Sequence, residues 1–260
     1  MALAELLVRR EGNTVIATIN RLEIHNALHK HVFDEFKSLL DVLETDRTVR
    51  AMIVTGVGDK AFCVGADLKE RASMNEKDVL NRLQTVRHLY LRLERLGFPV
   101  IAAINGMALG GGLELALACD LRVASENAVL GFPEVELGII PGNGGTQRLA
   151  RLVGRGRAME LILLSRRLSA QEALEFQVIH SVVPSGQALV QAKQWAAKIG
   201  EAGPIAVRQA KNAIRMGLEK SLEEGLALEI EAYAPCLHSK DRQEGLKAFQ
   251  EKRKPVFIGE

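Results

Sequence analysis

Residues 108–120, ALGGGLELALACD, constrain this chain more than any other stretch. Gly110, Gly111 and Gly112 open an apolar segment in which Leu113, Leu115, Ala116, Leu117 and Ala118 surround one carboxylate, Glu114. A carboxylate buried among such side chains is costly unless it is hydrogen-bonded or chemically employed, so this one ties the local fold to a function. The apolar spacing predicts a helix from about Leu113. The glycine N–H groups then fall in or just before its first turn, where helix donors lack intrahelical acceptors and can hold a developing negative oxygen. The plainer reading is that the glycines permit tight strand-to-helix packing and that Glu114 complements the helix dipole. Its leucine and alanine neighbours argue for burial instead of that surface role.

Burying such a group requires a substantial core, and 260 residues suffice for one large domain or a domain with an appendage. With 47% hydrophobic and 25% charged residues and no block of like charge, disorder and fibrous repeats are excluded. The apolar runs are too short and too often interrupted by charge for a membrane span. The opening MALAELLVRREGNT goes directly into strand-like alternation without the look of a signal or transit segment, so the expected location is the cytoplasm. Cys63, Cys119 and Cys236 are odd in number and far apart, which speaks against a disulfide framework or a zinc pair. His25 and His29 stand four apart without a third clustered ligand, so no metal is expected. A formal net charge of +2 gives no chain-wide field for nucleic acid.

AELLVRR and TVIATINR read as strands joined by a turn at residues 11–13. Val32, Phe33, Phe36, Leu39, Leu40 and Leu43 follow at helical spacing. RAMIVTG is a buried strand, 76–96 a helix stopped by Gly97 and Pro99, and VIAAING and DLRVAS are further strands. This order predicts α/β architecture. After residue 145 helical patterns dominate, at 145–164, 169–176, 186–200, 204–219 and 221–250, broken only by the strand-like VIHSVVP at 178–184. Amphipathic terminal helices of this kind cover a core or a neighbouring subunit, which predicts a homo-oligomer.

Two further loops have the composition of a site. In KAFCVGADLKE (60–70), Gly65 and Ala66 let a ligand approach the backbone, although the residues equally suit a turn into a helix capped by Asp67. In GFPEVELGIIPGNGGTQRL (131–149), Glu134 and Glu136 precede a second glycine-rich turn; the alternation around Glu136 reads as a surface edge. GNGGTQ lacks the spacing and strand context of a dinucleotide fingerprint, and the chain has neither a phosphate-binding G-x-x-x-x-G-K-[ST] nor G-x-S-x-G.

Together, NRLEIHNAL (20–28), AFCVGADLKE (61–70), IAAINGMALGGGLELALACD (101–120), FPEVELGIIPGNGGTQRL (132–149) and EGLKAFQEKRKP (244–255) resemble the enoyl-CoA hydratase/isomerase, or crotonase, superfamily along nearly the whole chain. FCVGADLKER and GLELALACDLRVA look especially similar to methylglutaconyl-CoA hydratases, a branch that includes an RNA-binding mitochondrial member. The resemblance implies an α/β, crotonase-like spiral of ββα turns over residues 1–200. It also implies a helical C-terminal region over 201–260 that covers the active site and mediates assembly into trimers or paired trimers. It implies a coenzyme A thioester substrate, coenzyme A being part of that substrate and no separate cofactor being needed. Its oxyanion donors fall on the N–H groups of Ala66 and Gly111, and its two hydratase glutamates on Glu114 and Glu134. By analogy Glu114 positions and deprotonates the water and Glu134 delivers the α-proton, both holding the same water. Two neighbouring carboxyl groups in an apolar cleft disfavour double ionisation, so one is expected to stay protonated near neutral pH. The coenzyme A contacts fall on Ala66, Asp67, Leu68, Lys69 and Lys252, with dipole support from Gly142 at the start of the helix after IIP. Lys69 and Lys252 equally suit solvated surface lysines. Many relatives carry Pro and a basic residue where this chain has Leu22 and Glu23, which removes one expected phosphate contact.

The expected reaction is addition of water to a short-chain 2-enoyl-CoA, giving the 3-hydroxyacyl-CoA, in fatty-acid or branched-chain amino-acid breakdown. Hydration of methylglutaconyl-CoA and Δ3,Δ2-enoyl-CoA isomerisation are the alternatives within the enzyme class. RNA binding is the alternative outside it, but residues 29–50 carry four basic side chains (Lys30, Lys37, Arg47, Arg50) against five acidic ones, poor electrostatics for a phosphate backbone. Arg82, Arg87, Arg92 and Arg95 form a more basic face that reads as solvated surface.

Overall fold

The structure, a computed structural model, describes residues 4–260. The opening alternation closes a hairpin: β1 (Leu6–Glu11) and β2 (Thr14–Ile19) pair antiparallel across the turn at Gly12 and Asn13. Helix α1 (Lys30–Leu43) follows, with Val32, Phe33, Phe36, Leu40 and Leu43 buried along one stripe.

A repeating unit then begins. Strand β3 (Ala51–Gly56) is followed by the short β4 (Ala61–Cys63) and helices α2 (Leu68–Ala72) and α3 (Glu76–Glu94). Strand β5 (Val100–Ile104) is followed by β6 (Met107–Leu109) and α4 (Gly111–Leu117). Strand β7 (Leu121–Ser125) is followed by β8 (Val129–Gly131), a 3-10 turn at Glu134–Leu137 and α5 (Gly145–Val153). Each ββα turn lays its first strand in one sheet and its second in another. The main sheet runs β1-β2-β3-β5-β7-β10 and, apart from the opening hairpin, is parallel. The second runs β4-β6-β8-β9. After α5 come α6 (Arg155–Leu163), β9 (Arg167–Ser169), α7 (Ala170–Glu175), β10 (Ser181–Val183) and α8 (Ala188–Gly200). Three further helices complete the chain, α9 (Pro204–Gly217), α10 (Leu222–Leu237) and α11 (Lys240–Gln250).

The central strands β3 and β5 are covered on both faces and read accordingly as apolar runs, whereas the edge strand β1 is largely exposed. Alternate residues divide between two cores. Ile16, Ile53, Ile101 and Val123 pack on one side against Ala188, Ala192 and Ala196 of α8, whose small side chains at four-residue spacing bring that helix close. Their neighbours Ala17, Met52, Val54, Ala102 and Ile104 face the larger core with Phe62, Tyr90 and Leu130. Asn105 stitches the two sheets where the chain crosses between them: its Nδ2 donates to Gly58 O at 2.7 Å and its Oδ1 accepts from Gly56 N at 3.1 Å.

The structure differs from the periodicity in several places, and β4, β6 and β8 lie outside the predicted strands. The helical pattern of 145–164 divides into α5 and α6 at Gly154, the pattern of 221–250 divides where Ser239 caps α11, and β9 lies outside every predicted strand. The strands of the second sheet are three residues long, too short for alternation to show.

Candidate active site

Three parallel strand ends of the second sheet deliver three pieces of one site. Strand β4 runs into Gly65 and Ala66, β6 into Gly110 and Gly111, and β8, by way of Phe132 and Pro133, into Glu134. Ala66 is oriented by Leu28, with which it forms an isolated parallel bridge. Leu28 N donates to Gly65 O at 2.7 Å and Asp67 N to Leu28 O at 2.9 Å, so Ala66 turns its own N–H to the opposite side. There it meets the glycine turn. A Cβ placed on Gly111 would lie 3.7 Å from Ala66 N, and one on Gly65 would lie 3.0 Å from Gly111 N, an approach only bare backbone allows. Among the described residues neither Ala66 N–H nor Gly111 N–H donates to another protein group. Helix α4 starts at Gly111, two residues before the position expected from the apolar spacing, because Gly110 takes φ +52 and turns the chain directly into the helix. Tyr90 OH donates to Gly111 O at 3.3 Å and fixes that peptide from behind.

Glu114 is 1% exposed, and its carboxylate is met by the start of α5. Oε1 accepts from Asn143 N at 2.7 Å and Gly145 N at 2.8 Å; Oε2 accepts from Asn143 Nδ2 at 2.9 Å. Burial pushes the carboxyl above its ordinary range, while the Gly145 and Asn143 donors and the Arg148 charge pull the other way. The far end of α4 is clamped by buried Arg122, which donates to Cys119 O at 2.6 Å, Ala116 O at 3.3 Å and Val178 O at 2.8 Å.

Glu134 begins the 3-10 turn and leans over the glycine turn: a Cβ on Gly110 would lie 2.9 Å from its Oε1. Its Oε2 is buried without a hydrogen-bond partner among the described residues. Burial raises this carboxyl to about 7, and the Glu114 charge adds to the effect. The ensemble therefore combines two convergent backbone donors, a firmly held carboxylate and a second carboxyl poised to carry a proton near neutral pH. It can stabilise an oxyanion and move protons on either side of it.

The structure thus brings Ala66, Gly111, Glu114 and Glu134 together. Asp67 caps α2, accepting from Lys69 N at 3.1 Å and Glu70 N at 3.4 Å and pairing with Arg21 at 3.2 Å. Leu68 and Lys69 are exposed on the first turn of α2. Lys252 is exposed in the turn beyond α11, not on the helix itself. Gly142 does not start a helix: α5 begins at Gly145, after Gly144 at φ +110, and Gly142 packs against Leu83. The dipole expected at Gly142 lies three residues on and is directed at Glu114. Asn143, Gly145, Tyr90 and Leu28 escaped the sequence reading because their roles depend on backbone atoms brought together by the spiral. Among the described residues no helix is long and apolar enough to cross a membrane. Among the described residues no group of three or more His, Cys, Asp or Glu side chains is placed to hold a metal ion. Arg82 pairs with Glu70, and Arg92 with Asp41 and Glu44, which neutralises half of the basic face of α3.

The sequence model of the enoyl-CoA hydratase/isomerase family matches residues 9–260. The chain belongs to the enoyl-CoA hydratase/isomerase family. Its fold is shared with the crystal structure of an enoyl-CoA hydratase from Bacillus anthracis at a TM-score of 0.97, with 49% identity, 98% of this chain and 100% of that one covered. The family's Short-chain-enoyl-CoA hydratase of Clostridium acetobutylicum is 42% identical, with 98% of this chain and 97% of its own length covered. The mitochondrial Methylglutaconyl-CoA hydratase of Mus musculus is 45% identical, with 95% of this chain and 80% of its own length covered.

Proposed function

We propose that the protein is an enoyl-CoA hydratase that adds water across the 2,3 double bond of a short-chain 2-enoyl-CoA, giving the 3-hydroxyacyl-CoA. The observation that carries this reading is the pair of carboxyl groups, Glu114 held by three donors and Glu134 raised to about 7, beside the N–H groups of Ala66 and Gly111, which donate to no protein group among the described residues. Ala66 and Gly111 receive the thioester oxygen as enolate charge develops on it. Glu114 holds and deprotonates the water that attacks C3, and Glu134, protonated, delivers the proton to C2. An isomerase needs only one acid to shuttle a proton, so the presence of both favours hydration. No separate cofactor enters this chemistry. Backbone at residues 66–69, with Lys69 and Lys252, is our candidate surface for coenzyme A.

We read residues 1–200 as the catalytic spiral and 201–260 as the helical region that covers the site and joins subunits into a homotrimer or dimer of trimers. A cytoplasmic role in fatty-acid or branched-chain amino-acid breakdown fits this chemistry. A second reading, hydration of a carboxylated substrate such as methylglutaconyl-CoA, is favoured by the 45% identity to the Methylglutaconyl-CoA hydratase of Mus musculus.

The test follows loss of the conjugated-thioester absorbance with crotonyl-CoA and 3-methylglutaconyl-CoA in parallel. Glu114→Gln and Glu134→Gln are each expected to lower kcat by about 10³-fold with the fold intact. Turnover of crotonyl-CoA supports the short-chain reading, and turnover of the branched diacid alone supports the second. Near-normal turnover in both variants would refute the assignment of the two acids.

A further inference from the structure

Glu114 is gripped by a loop that is itself gripped. Arg148, on α5, donates from Nε to Glu94 Oε1 at 2.6 Å and from Nη2 to Glu94 Oε2 at 2.9 Å, a two-pronged pair with the last residue of α3. Its remaining nitrogen, Nη1, donates to Asn143 O at 2.8 Å. The guanidinium lies so close to the chain that a Cβ on Gly144 would overlap Nη1. The same short segment, residues 143–145, sends Asn143 N and Gly145 N to one oxygen of Glu114. Arg148 therefore holds the carbonyl side of this loop while its amide side holds Glu114. Neither Arg148 nor Glu94 is among the residues expected to touch substrate.

We infer that Glu94 and Arg148 are positioning residues for hydration, acting through the loop at 143–145 to aim the Glu114 carboxylate and to keep its N–H donors converged. Arginine suits this task and lysine does not. The planar fork engages Glu94 and Asn143 at once, whereas an ammonium is a point charge on a flexible stem. This rests on the hydratase reading for its kinetic readout and on the hydrogen-bond chain alone for its spectroscopic one.

The decisive variants are Arg148→Lys, which keeps the charge and removes the fork, and Glu94→Gln, which weakens the anchor and leaves Arg148 in place. Glu114 is faced by Glu134, by Tyr90 on α3 and by Arg148, so a charge-conserving change isolates geometry from Coulomb effects. For Arg148→Lys, kcat on crotonyl-CoA is expected to fall about 10- to 100-fold with KM within about threefold, and Glu94→Gln to fall less. In parallel, the pH midpoint of the Glu114 carboxyl band, read by infrared difference against Glu114→Gln, is expected to move upward as the N–H donors disperse. Wild-type kcat and an unmoved midpoint in Arg148→Lys would overturn the proposal. So would a fall in kcat matched by lost thermal stability with the midpoint unmoved, the mark of a merely structural pair. A moved midpoint in Arg148→Lys, together with a wild type that hydrates no enoyl thioester, would uphold the positioning role and defeat the hydratase reading instead.

Discussion

The wall around Glu114 and the helices that close the chain are built to opposite standards. In the wall every approach is backbone-close. Gly65 lies against Gly111, Gly112 against Cys63, and Glu114 has each carboxylate oxygen met by a donor. Along α9 and α10, by contrast, Ile214, Leu218, Leu222, Leu226 and Ile230 remain exposed, and where Gly217 meets Gly225 a Cβ would find only ordinary van der Waals contact. The chemistry is assembled within one spiral, whereas the apolar surface of the terminal helices is not used up within one chain. Precision is concentrated where a group must be aimed, and a carboxylate is aimed only by donors fixed on short, unyielding backbone.

The largest expected break in that contrast is Gly112→Ala. Its new methyl group would enter the carbonyl of Cys63, so the substitution is expected to cost about 3 kcal/mol or more and to abolish turnover, checked by thermal melting and activity. Wild-type melting would show that the wall yields more than its contacts suggest. A medium effect belongs to pH. Glu134 has a folded-state pKa of about 7 against an ordinary value of 4.5, so between these limits the native protein binds the extra proton. Stability contributed by that proton is therefore present at low pH and lost as pH rises through the window. Because the proposed assignment makes this proton the one delivered to carbon, kcat/KM is expected to decline above about pH 7. Glu134→Gln should melt higher than wild type at pH 8 and no higher at pH 4; equal gains at both would discard the buried-acid account. The smallest effect is expected at Gly225→Ala in α10, whose Cβ would meet Gly217 O at an ordinary 3.5 Å. Removing a helix glycine there should stabilise by about 0.5–1 kcal/mol in the same melting assay, and a loss as large as that at Gly112 would erase the contrast.

Glu114 was legible in the sequence because a lone acid among leucines is anomalous wherever it lies. The glycine turn was legible because three consecutive glycines before an apolar helix exclude most other uses. The proximity of Ala66 to Gly111 rested on resemblance, since 44 intervening residues carry no local signal of their meeting. Gly145 was missed because it acts through its peptide N–H, which every residue but proline possesses, and Asn143, which adds its side-chain amide, because 28 residues separate it from Glu114 in the chain. The boundary errors have a different cause. Gly154 splits a continuous helical periodicity, and side-chain pattern does not register a backbone interruption of one residue.

The second sheet gives these site elements a common grammar. Residues 65–66, 110–111 and 134 each stand just beyond the carboxyl end of a three-residue parallel strand, and the strand ladder is indifferent to the side chains carried past its end. Such a row behaves as a set of interchangeable ports on a fixed rack. On the proposed assignment, an acid offered at the third port supplies a proton to the bound thioester and an amide or a blank supplies none, while the rack and the backbone N–H groups at the other ports stay as they are. A redesign of this scaffold toward another acyl chemistry would therefore begin at position 134 and leave 66 and 111 alone.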